Sequence, residues 1–130
     1  MDQLKPDPMN TVVRDYLINR AHAGKYIFYQ DLATACGLKL DMSLELHRAQ
    51  IGKILGDIGA YEYEAGRPLL SAVAVLAETK LPSDGFYRLA EQLGLGSVKR
   101  LKQDLFGETE MGRCFEFWRR PRNDSDFKPL

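Results

Sequence analysis

The junction between a β-prone run and a short helix at residues 26–37 constrains the fold more than any other stretch of the chain. Residues 26–29, YIFY, are aromatic or β-branched and predict a strand over 25–28. Residues 31–36, DLATAC, predict a helix from about 30 to 36 that Gly37 ends. Asp31 in the first helical turn complements the helix dipole. The fold must therefore contain strand and helix in close succession.

Helical patterns lie on both sides of this junction. A first helix is predicted from Thr11, with Asn10 as N-cap and Gly24 at its end. A longer helix over about 44–59 is predicted after Ser43, which can cap it. Its glycines, Gly52, Gly56 and Gly59, weaken it by up to ~1 kcal/mol each relative to alanine. Close packing is therefore expected at one of them or more.

The second half of the chain contains one further strand-like run and three short helices. Residues 61–68, YEYEAGRP, predict a turn, and 69–76, LLSAVAVL, predict a buried strand. A turn-rich loop over 78–85 follows. Helices are expected at 86–93, at 97–105 after a Ser97 cap, and at 109–120 after a Thr109 cap.

This order of elements predicts an α+β fold that is mostly helical, with a winged helix-turn-helix core and a C-terminal helical extension. Residues 9–120 are expected to form a single winged-helix-like domain. Residues 1–8 are expected to be a flexible N-terminal arm, and residues 121–130 a frayed tail. The helix over 44–59 would be the recognition helix.

Composition limits the classes of function. The 130 residues are 45% hydrophobic and 28% charged, with no formal net charge. A neutral chain is unlike a strong non-specific nucleic-acid binder, although a local basic face is compatible with it. No apolar stretch approaches the ~20 residues that span a membrane. Cys36 and Cys114 show no metal-ligand spacing, which favours free thiols and a cytoplasmic location, with Cys36 buried.

Four segments carry a family resemblance, namely IFYQDLATACGL, AQIGKIL, RPLLSAVAV and PSDGFYRLA. Together they resemble the winged-helix domain of the alkylguanine-DNA alkyltransferase and alkyltransferase-like family over about residues 24 to 88. In this resemblance Tyr29 matches the tyrosine that rotates the target nucleotide out of the duplex. Gln30, Leu32 and Ala33 match the helix that follows, and Ile51-Gly52 match the Val-Gly of the recognition helix. Pro68 matches the proline before the reactive site, and Gly85-Phe86 the glycine-aromatic turn.

The reactive motif of that family is absent. Leu69, Leu70 and Ser71 follow Pro68, where the family has cysteine, histidine and arginine. Alkyl transfer requires a thiolate activated by a neighbouring base. The family's base-replacing arginine should stand at Ala49, and Arg48 is one position away. We therefore expect a protein that is not an enzyme and has no cofactor.

The resemblance and the charges together predict a DNA-binding face. Lys39, Arg48 and Lys53 would neutralise two or three phosphates, and Tyr29 would supply an aromatic ring for a base. The complete predicted set is Tyr29, Gln30, Lys39, Arg48, Gln50 and Lys53. The alternative for these side chains is an ordinary solvated face.

Other patterns leave alternatives open. Phe115 and Trp118 share a helical face that either closes the core or binds a protein partner, which would make the scaffold an interaction module. The chain also resembles uncharacterised bacterial proteins with a YEHE-GRPLLSAVV…GDGFF pattern, a resemblance that implies no function. A metal-dependent nuclease is the third hypothesis.

The nuclease hypothesis depends on isolated acidic residues. Glu78-Thr79-Lys80 follows an apolar run, and Glu62 and Glu64 lie two positions apart. A solvated turn is favoured for the first group, and a solvated helix end with Arg67 pairing locally for the second. His47 is predicted to be a partly buried structural residue, because no second ligand is spaced to join it.

Overall fold

A computed structural model describes residues 9–120 of the chain, so the predictions for the arm at 1–8 and the tail at 121–130 lie outside the described residues. The fold over these residues is α+β and mostly helical, as predicted. The helices are α1 (Thr11–His22), α2 (Tyr29–Ala35), α3 (Glu45–Glu64), α4 (Asp84–Gln92), α5 (Val98–Gln103) and α6 (Phe106–Arg119). The strands are β1 (Ile27–Phe28) and β2 (Ala74–Val75), and a 3₁₀ helix at Leu70–Val73 precedes β2.

The predicted strand over 69–76 is wrong for most of its length. Only Ala74 and Val75 form a strand, which pairs in parallel with Ile27 and Phe28. The pairing is short because α2 begins directly after Phe28 and leaves no further partner. Burial of the run was predicted correctly, since every residue from 69 to 75 is buried.

Side chains and turns, rather than a sheet, satisfy the backbone at the start of this run. The Leu69 N–H donates to Glu110 Oε2 at 2.8 Å, and the Ala72 N–H donates to the Leu69 carbonyl at 3.0 Å. Buried backbone groups require such partners wherever a ladder is missing. The segment therefore lies in the core without being a strand.

Helix starts follow the sequence signals at two positions and depart from them at two others. Asn10 caps α1 by accepting from the Val13 N–H at 2.9 Å, and Ser97 caps α5 by accepting from the Arg100 N–H at 3.2 Å. The Ser43 cap is wrong, because the Ser43 hydroxyl donates to Asp41 at 2.7 Å and α3 begins after Leu44. The Thr109 cap is also wrong: α6 begins at Phe106, after a left-handed residue at 105.

The turn predicted at 61–68 begins late, because α3 continues through Glu64. Glu62 is fully buried rather than solvated. Its carboxylate lies 2.6 Å from Arg14 Nε of α1 and 2.5 Å from Arg67 Nε. The ring of Tyr61 lies beside both guanidinium groups, at 5.3 and 5.6 Å. Two cations at one carboxylate make burial of the charge tolerable.

One hydrophobic core joins these elements, and α1, α6 and the 3₁₀ helix pack together at its centre. Trp118 is only 2% exposed, and the Nδ1 of His22 hydrogen-bonds to its carbonyl oxygen at 2.7 Å. Phe115 is half-buried and packs against the same core. The sequence left two alternatives for this helical face, closing the core or binding a protein partner, and Trp118 closes the core. Over residues 9–120, no helix has the length and apolar character to cross a membrane.

Close packing on α3 occurs at Gly59. A Cβ added there would lie 2.7 Å from Leu89 Cδ2 and 3.0 Å from Ser71 Oγ. A Cβ added at Gly52 or Gly56 would meet nothing within 4 Å. The expectation that packing explains one of these glycines is confirmed.

The substitutions Gly56→Ala and Gly59→Ala should change stability in opposite directions. Alanine at position 56 should raise the free energy of unfolding by about 0.5–1 kcal/mol, because it favours the helix without a steric conflict. Alanine at position 59 should lower it, because Leu89 has to move. Urea denaturation of both variants measures the difference. Equal effects at the two positions would show that α3 does not pack closely at Gly59.

The substitution Glu62→Gln should lower the free energy of unfolding by about 3–5 kcal/mol, because it leaves two cations without their shared anion. The matched control is Asp57→Asn, which removes an exposed ion pair to Lys53 on the same helix. Exposed pairs contribute about 0–1 kcal/mol, so this control should unfold nearly as the parent does. If Glu62→Gln lowers the free energy of unfolding by as little as the control does, the Glu62 carboxylate is not the buried anion that two cations share.

Candidate functional site

A pocket of about 490 Å³ opens between the start of α2, the first half of α3 and the connection from β2 to α4. Its walls are mainly aliphatic and aromatic, formed by Phe28, Ile51, Leu55, Val75, Leu76, Phe86 and Leu89. Ligand sites of ~300–1,000 Å³ with apolar walls and a few polar groups are typical of proteins that bind small molecules. This cavity is therefore the candidate site.

The sequence creates the pocket in two ways. Gly52 and Gly56 lie on the face of α3 that lines it, and no side chain from either fills the space. The abrupt change from β1 to α2 brings Phe28 and Tyr29 to its edge. The junction that dominates the sequence pattern thus forms one wall.

Tyr29 lies in that wall and its hydroxyl already has a partner. The hydroxyl accepts a hydrogen bond from the Ser83 N–H, at the start of α4, at 2.9 Å. Burial raises the pKa of Tyr29, so the phenol stays protonated at neutral pH. This bond ties α2 to α4 and fixes the ring beside the cavity.

Gln30 and Arg48 also line the pocket, and both hold the connector between α2 and α3. Gln30 donates to the Leu40 carbonyl at 3.0 Å and accepts from the Met42 N–H at 2.9 Å. Arg48 Nη1 donates to the Met42 carbonyl at 2.8 Å. Met42 lines the pocket as well, so these two side chains shape its mouth.

The remaining predicted DNA-binding residues lie on the surface, outside the pocket lining. Lys39 is exposed in the connector, and Gln50 and Lys53 are exposed on α3. Lys53 forms an ion pair with Asp57 at 3.0 Å. The structure therefore brings Tyr29, Gln30 and Arg48 together in the pocket lining and leaves the other three residues outside it.

Three polar residues of the pocket, Ser71, Glu78 and Ser83, are absent from the predicted DNA-binding set, and Glu78 was considered only for the nuclease hypothesis. Ser71 is buried, and Glu78 is exposed at the mouth. The signal that marks Ser71 is its position as the one hydroxyl residue within the apolar run at 69–76.

No thiol lines the pocket. Cys36 is half-buried rather than buried as predicted, and burial raises its pKa. Cys114 lies in the core and donates to the Leu69 carbonyl at 3.3 Å, and burial raises its pKa well above the usual value. Raised values oppose the thiolate form that alkyl transfer requires.

The contacts of His47 and of the turn at Glu78-Thr79-Lys80 agree with structural roles for both. His47 is half-buried and its Nδ1 accepts from the Asp41 N–H at 2.8 Å, in agreement with the structural role predicted for it. Lys80 has a left-handed backbone, and its ammonium donates to the Ala77 carbonyl at 3.2 Å, as in a turn. Within residues 9–120, no three His, Cys, Asp or Glu side chains are grouped so that they could hold a metal ion.

In comparisons with known proteins, no protein-family model, curated protein or solved structure matches the chain. The ligand of the pocket must therefore be inferred from the residues that form it.

The two cysteines should react very differently with iodoacetamide in the native state. Cys36 should be labelled, with a rate that continues to rise above pH 9, because burial raises its pKa. Cys114 should be labelled only after unfolding, because it is fully buried. Mass spectrometry of peptides after timed labelling at several pH values measures both rates. Native labelling of Cys114 at the rate of Cys36 would contradict its placement in the core.

Proposed function

We propose that the protein is a non-enzymatic module that binds duplex DNA in the manner of alkyltransferase-like winged-helix domains. In this proposal α3 enters a groove, and the pocket beside it receives a base that has rotated out of the duplex. The observation that carries the proposal is the pocket itself, which lies against α3 and has both Tyr29 and Arg48 in its lining. The resemblance associates Tyr29 with nucleotide rotation, and Arg48 lies one position from Ala49, where the family has the arginine that replaces the base.

The order of the elements supports the proposal. A strand leads into the helix that begins at Tyr29, and a long helix with Gly52 in its first half follows. The segment after Pro68 then returns through β2 beside β1, and Gly85-Phe86 open α4. This is the sequence of parts that the alkyltransferase-like resemblance implies, and Gly52, Gly85 and Phe86 all line the pocket.

The exposure of α3 suits entry into a groove. Between positions 45 and 53, Ile51 is the one buried residue, and Arg48, Gln50 and Lys53 are exposed. A recognition helix requires such an accessible surface near its N-terminal end. Arg48 lies between this surface and the pocket, where it can contact a phosphate or the vacated stack.

The pocket wall suits a flat ring. Extrusion of a base costs a few kcal/mol of lost stacking and pairing. The rings of Phe28, Tyr29 and Phe86 offer aromatic surface in return, and stacking on such a ring contributes ~1–3 kcal/mol per base. Because the lining contains neither cysteine nor histidine, we propose binding without covalent chemistry. Free thiols at Cys36 and Cys114 agree with a cytoplasmic location.

A second candidate function is a protein-interaction module. Leu44 and Leu46 at the start of α3 are 49% and 68% exposed. The acidic residues Glu45 and Asp57 also offset the positive charges of Arg48 and Lys53 on this helix. Exposed leucines beside balanced charges favour a protein surface over a phosphate backbone.

Salt dependence of DNA binding distinguishes the two candidates. Three phosphate contacts, from Lys39, Arg48 and Lys53, should give a slope of log K against log salt of about −2.7. The substitution Arg48→Ala should reduce the steepness by about one unit, and Tyr29→Ala should weaken binding with little change in slope. Fluorescence anisotropy with a labelled duplex measures all of these quantities.

The matched control for Arg48 is Lys99→Ala, which removes an exposed cation on α5 that does not line the pocket. It should leave both affinity and slope unchanged. Absence of binding at ~50 mM salt and micromolar protein would exclude the DNA proposal, because non-specific binders reach ~10⁻⁴–10⁻⁶ M even at physiological salt. The protein-interaction candidate, with Leu44 and Leu46 as its first positions to test, would then be preferred.

A further inference from the structure

The lining of the pocket contains two charged side chains, and they have opposite signs. Arg48 belongs to α3, and Glu78 follows β2 in the connection to α4. Both side chains are exposed, whereas the buried part of the lining is mainly apolar and includes Leu55, Val75 and Phe86. The polar parts of a ligand therefore have to face the rim of the pocket, where these two charges lie.

Neither of these charges is paired within the protein. Within residues 9–120, Arg48 and Glu78 form no ion pair with each other or with any other side chain. Lys80, two positions after Glu78, donates to the Ala77 carbonyl instead. Because the cation and the anion stay apart on two different walls of one cavity, a ligand can contact both of them.

The guanidinium of Arg48 is held at the rim and still has donors to offer. Its Nη1 donates to the Met42 carbonyl at 2.8 Å, and Met42 also lines the pocket. A guanidinium has five N–H donors, so this single bond leaves most of them for a ligand. Phosphate and carboxylate groups are the acceptors that match the planar shape of an arginine best.

The other polar side chains of the lining are already engaged or face elsewhere. The Tyr29 hydroxyl is bonded to the Ser83 N–H, and the Gln30 amide uses both of its ends on the α2–α3 connector. The Ser71 hydroxyl lies against Gly59, which is outside the lining. The two charged side chains are therefore the groups of the rim that select a ligand.

We propose that the pocket binds an aromatic ligand with an anionic group for Arg48 and a ring amino group for Glu78. A carboxylate only accepts hydrogen bonds, so it favours a ring edge that donates and disfavours a ring carbonyl at the same position. This inference rests on the proposed function in taking the ligand to be a nucleotide, whose base then carries an amino group. Arg48 contacts the phosphate of that nucleotide rather than filling the vacated stack.

The first test works without DNA and varies each end of the ligand separately. Deoxycytidine monophosphate, deoxyuridine monophosphate and their two nucleosides are titrated into ¹⁵N-labelled protein, and the amide shifts of pocket residues are followed. The parent should bind deoxycytidine monophosphate most tightly. Loss of the phosphate, or exchange of the amino group for a carbonyl, should each weaken binding about threefold to tenfold, the effect of one net hydrogen bond.

Two substitutions should each remove one preference and leave the other. Arg48→Ala should remove the preference for the phosphate and keep that for cytosine. Glu78→Gln should remove the preference for cytosine, because an amide both donates and accepts, and keep that for the phosphate. The matched controls, Lys99→Ala on α5 and Glu116→Gln on α6, change exposed charges outside the lining and should keep both preferences.

This factorial design separates ligand contact from a structural effect. If Arg48→Ala only disturbed the connector at Met42, it would weaken all four ligands alike, and that result would overturn the role of Arg48. A parent protein that binds the cytosine and uracil compounds equally would overturn the role of Glu78.

A duplex arm separates this inference from the proposed function. Two duplexes carry either cytosine or uracil opposite the same cytosine, and the parent should prefer the cytosine–cytosine mismatch while Glu78→Gln binds both equally. Duplex binding without that preference would exclude the inference and leave the proposed function standing. The mononucleotide preferences without any duplex binding would support the inference, identify free nucleotides as the ligand and exclude the proposed function.

Discussion

The buried carboxylate of Glu62 is the interaction on which the arrangement of the helices depends. It joins Arg14 of α1 to Arg67, the residue that leads out of α3, so three segments meet at one anion. A second buried carboxylate, Glu110 of α6, accepts from the Leu69 N–H two residues further along. Together they hold both sides of Pro68 and so position the 3₁₀ helix that contains Ser71. A buried ion pair costs desolvation energy, and its best-supported benefit is that few alternative arrangements satisfy it.

This anchoring explains why α3 can have two different halves. Its C-terminal half is fixed in the core by Leu55, Ile58 and Glu62, all buried. Its N-terminal half contributes Ile51 to the core and is otherwise largely exposed. A helix held firmly at one end can present the other end to a ligand without losing its place in the fold. The pocket occupies the region where the helix changes from the first condition to the second.

The sequence predicted those parts of the fold that depend on local signals. The caps at Asn10 and Ser97, the strand-to-helix junction and the order of the elements all follow from short patterns. The run at 69–76 was assigned to the core correctly but to the wrong secondary structure, because the length of β2 is limited by a strand far away in the sequence. The burial of Glu62 depends on Arg14, 48 positions away, and no local pattern at YEYE reveals that partner.

The candidate site could be predicted only in part from the sequence, because it too depends on contacts between residues that are distant in the sequence. The predicted DNA-binding set includes Tyr29, Gln30 and Arg48, and the structure places these three around one cavity. Their contacts show that they also build the site, since the first binds the Ser83 N–H and the other two hold the connector at Met42. Ser71 was not selected, because a single serine in an apolar run becomes informative only when its surroundings are known.

The parallel pairing of β1 with β2 has a consequence for how the chain folds. A hairpin could form from neighbouring residues. Ile27 and Ala74, in contrast, are separated in the sequence by α2, α3 and the 3₁₀ helix, and this whole segment must form a closed loop before the two residues can pair. Closing so long a loop loses chain entropy before any contact compensates for it, and such distant contacts slow folding. Because Val75 also lines the cavity, we expect the pocket to be completed late in folding. A chain still being synthesised would lack the complete pocket until β2 has emerged.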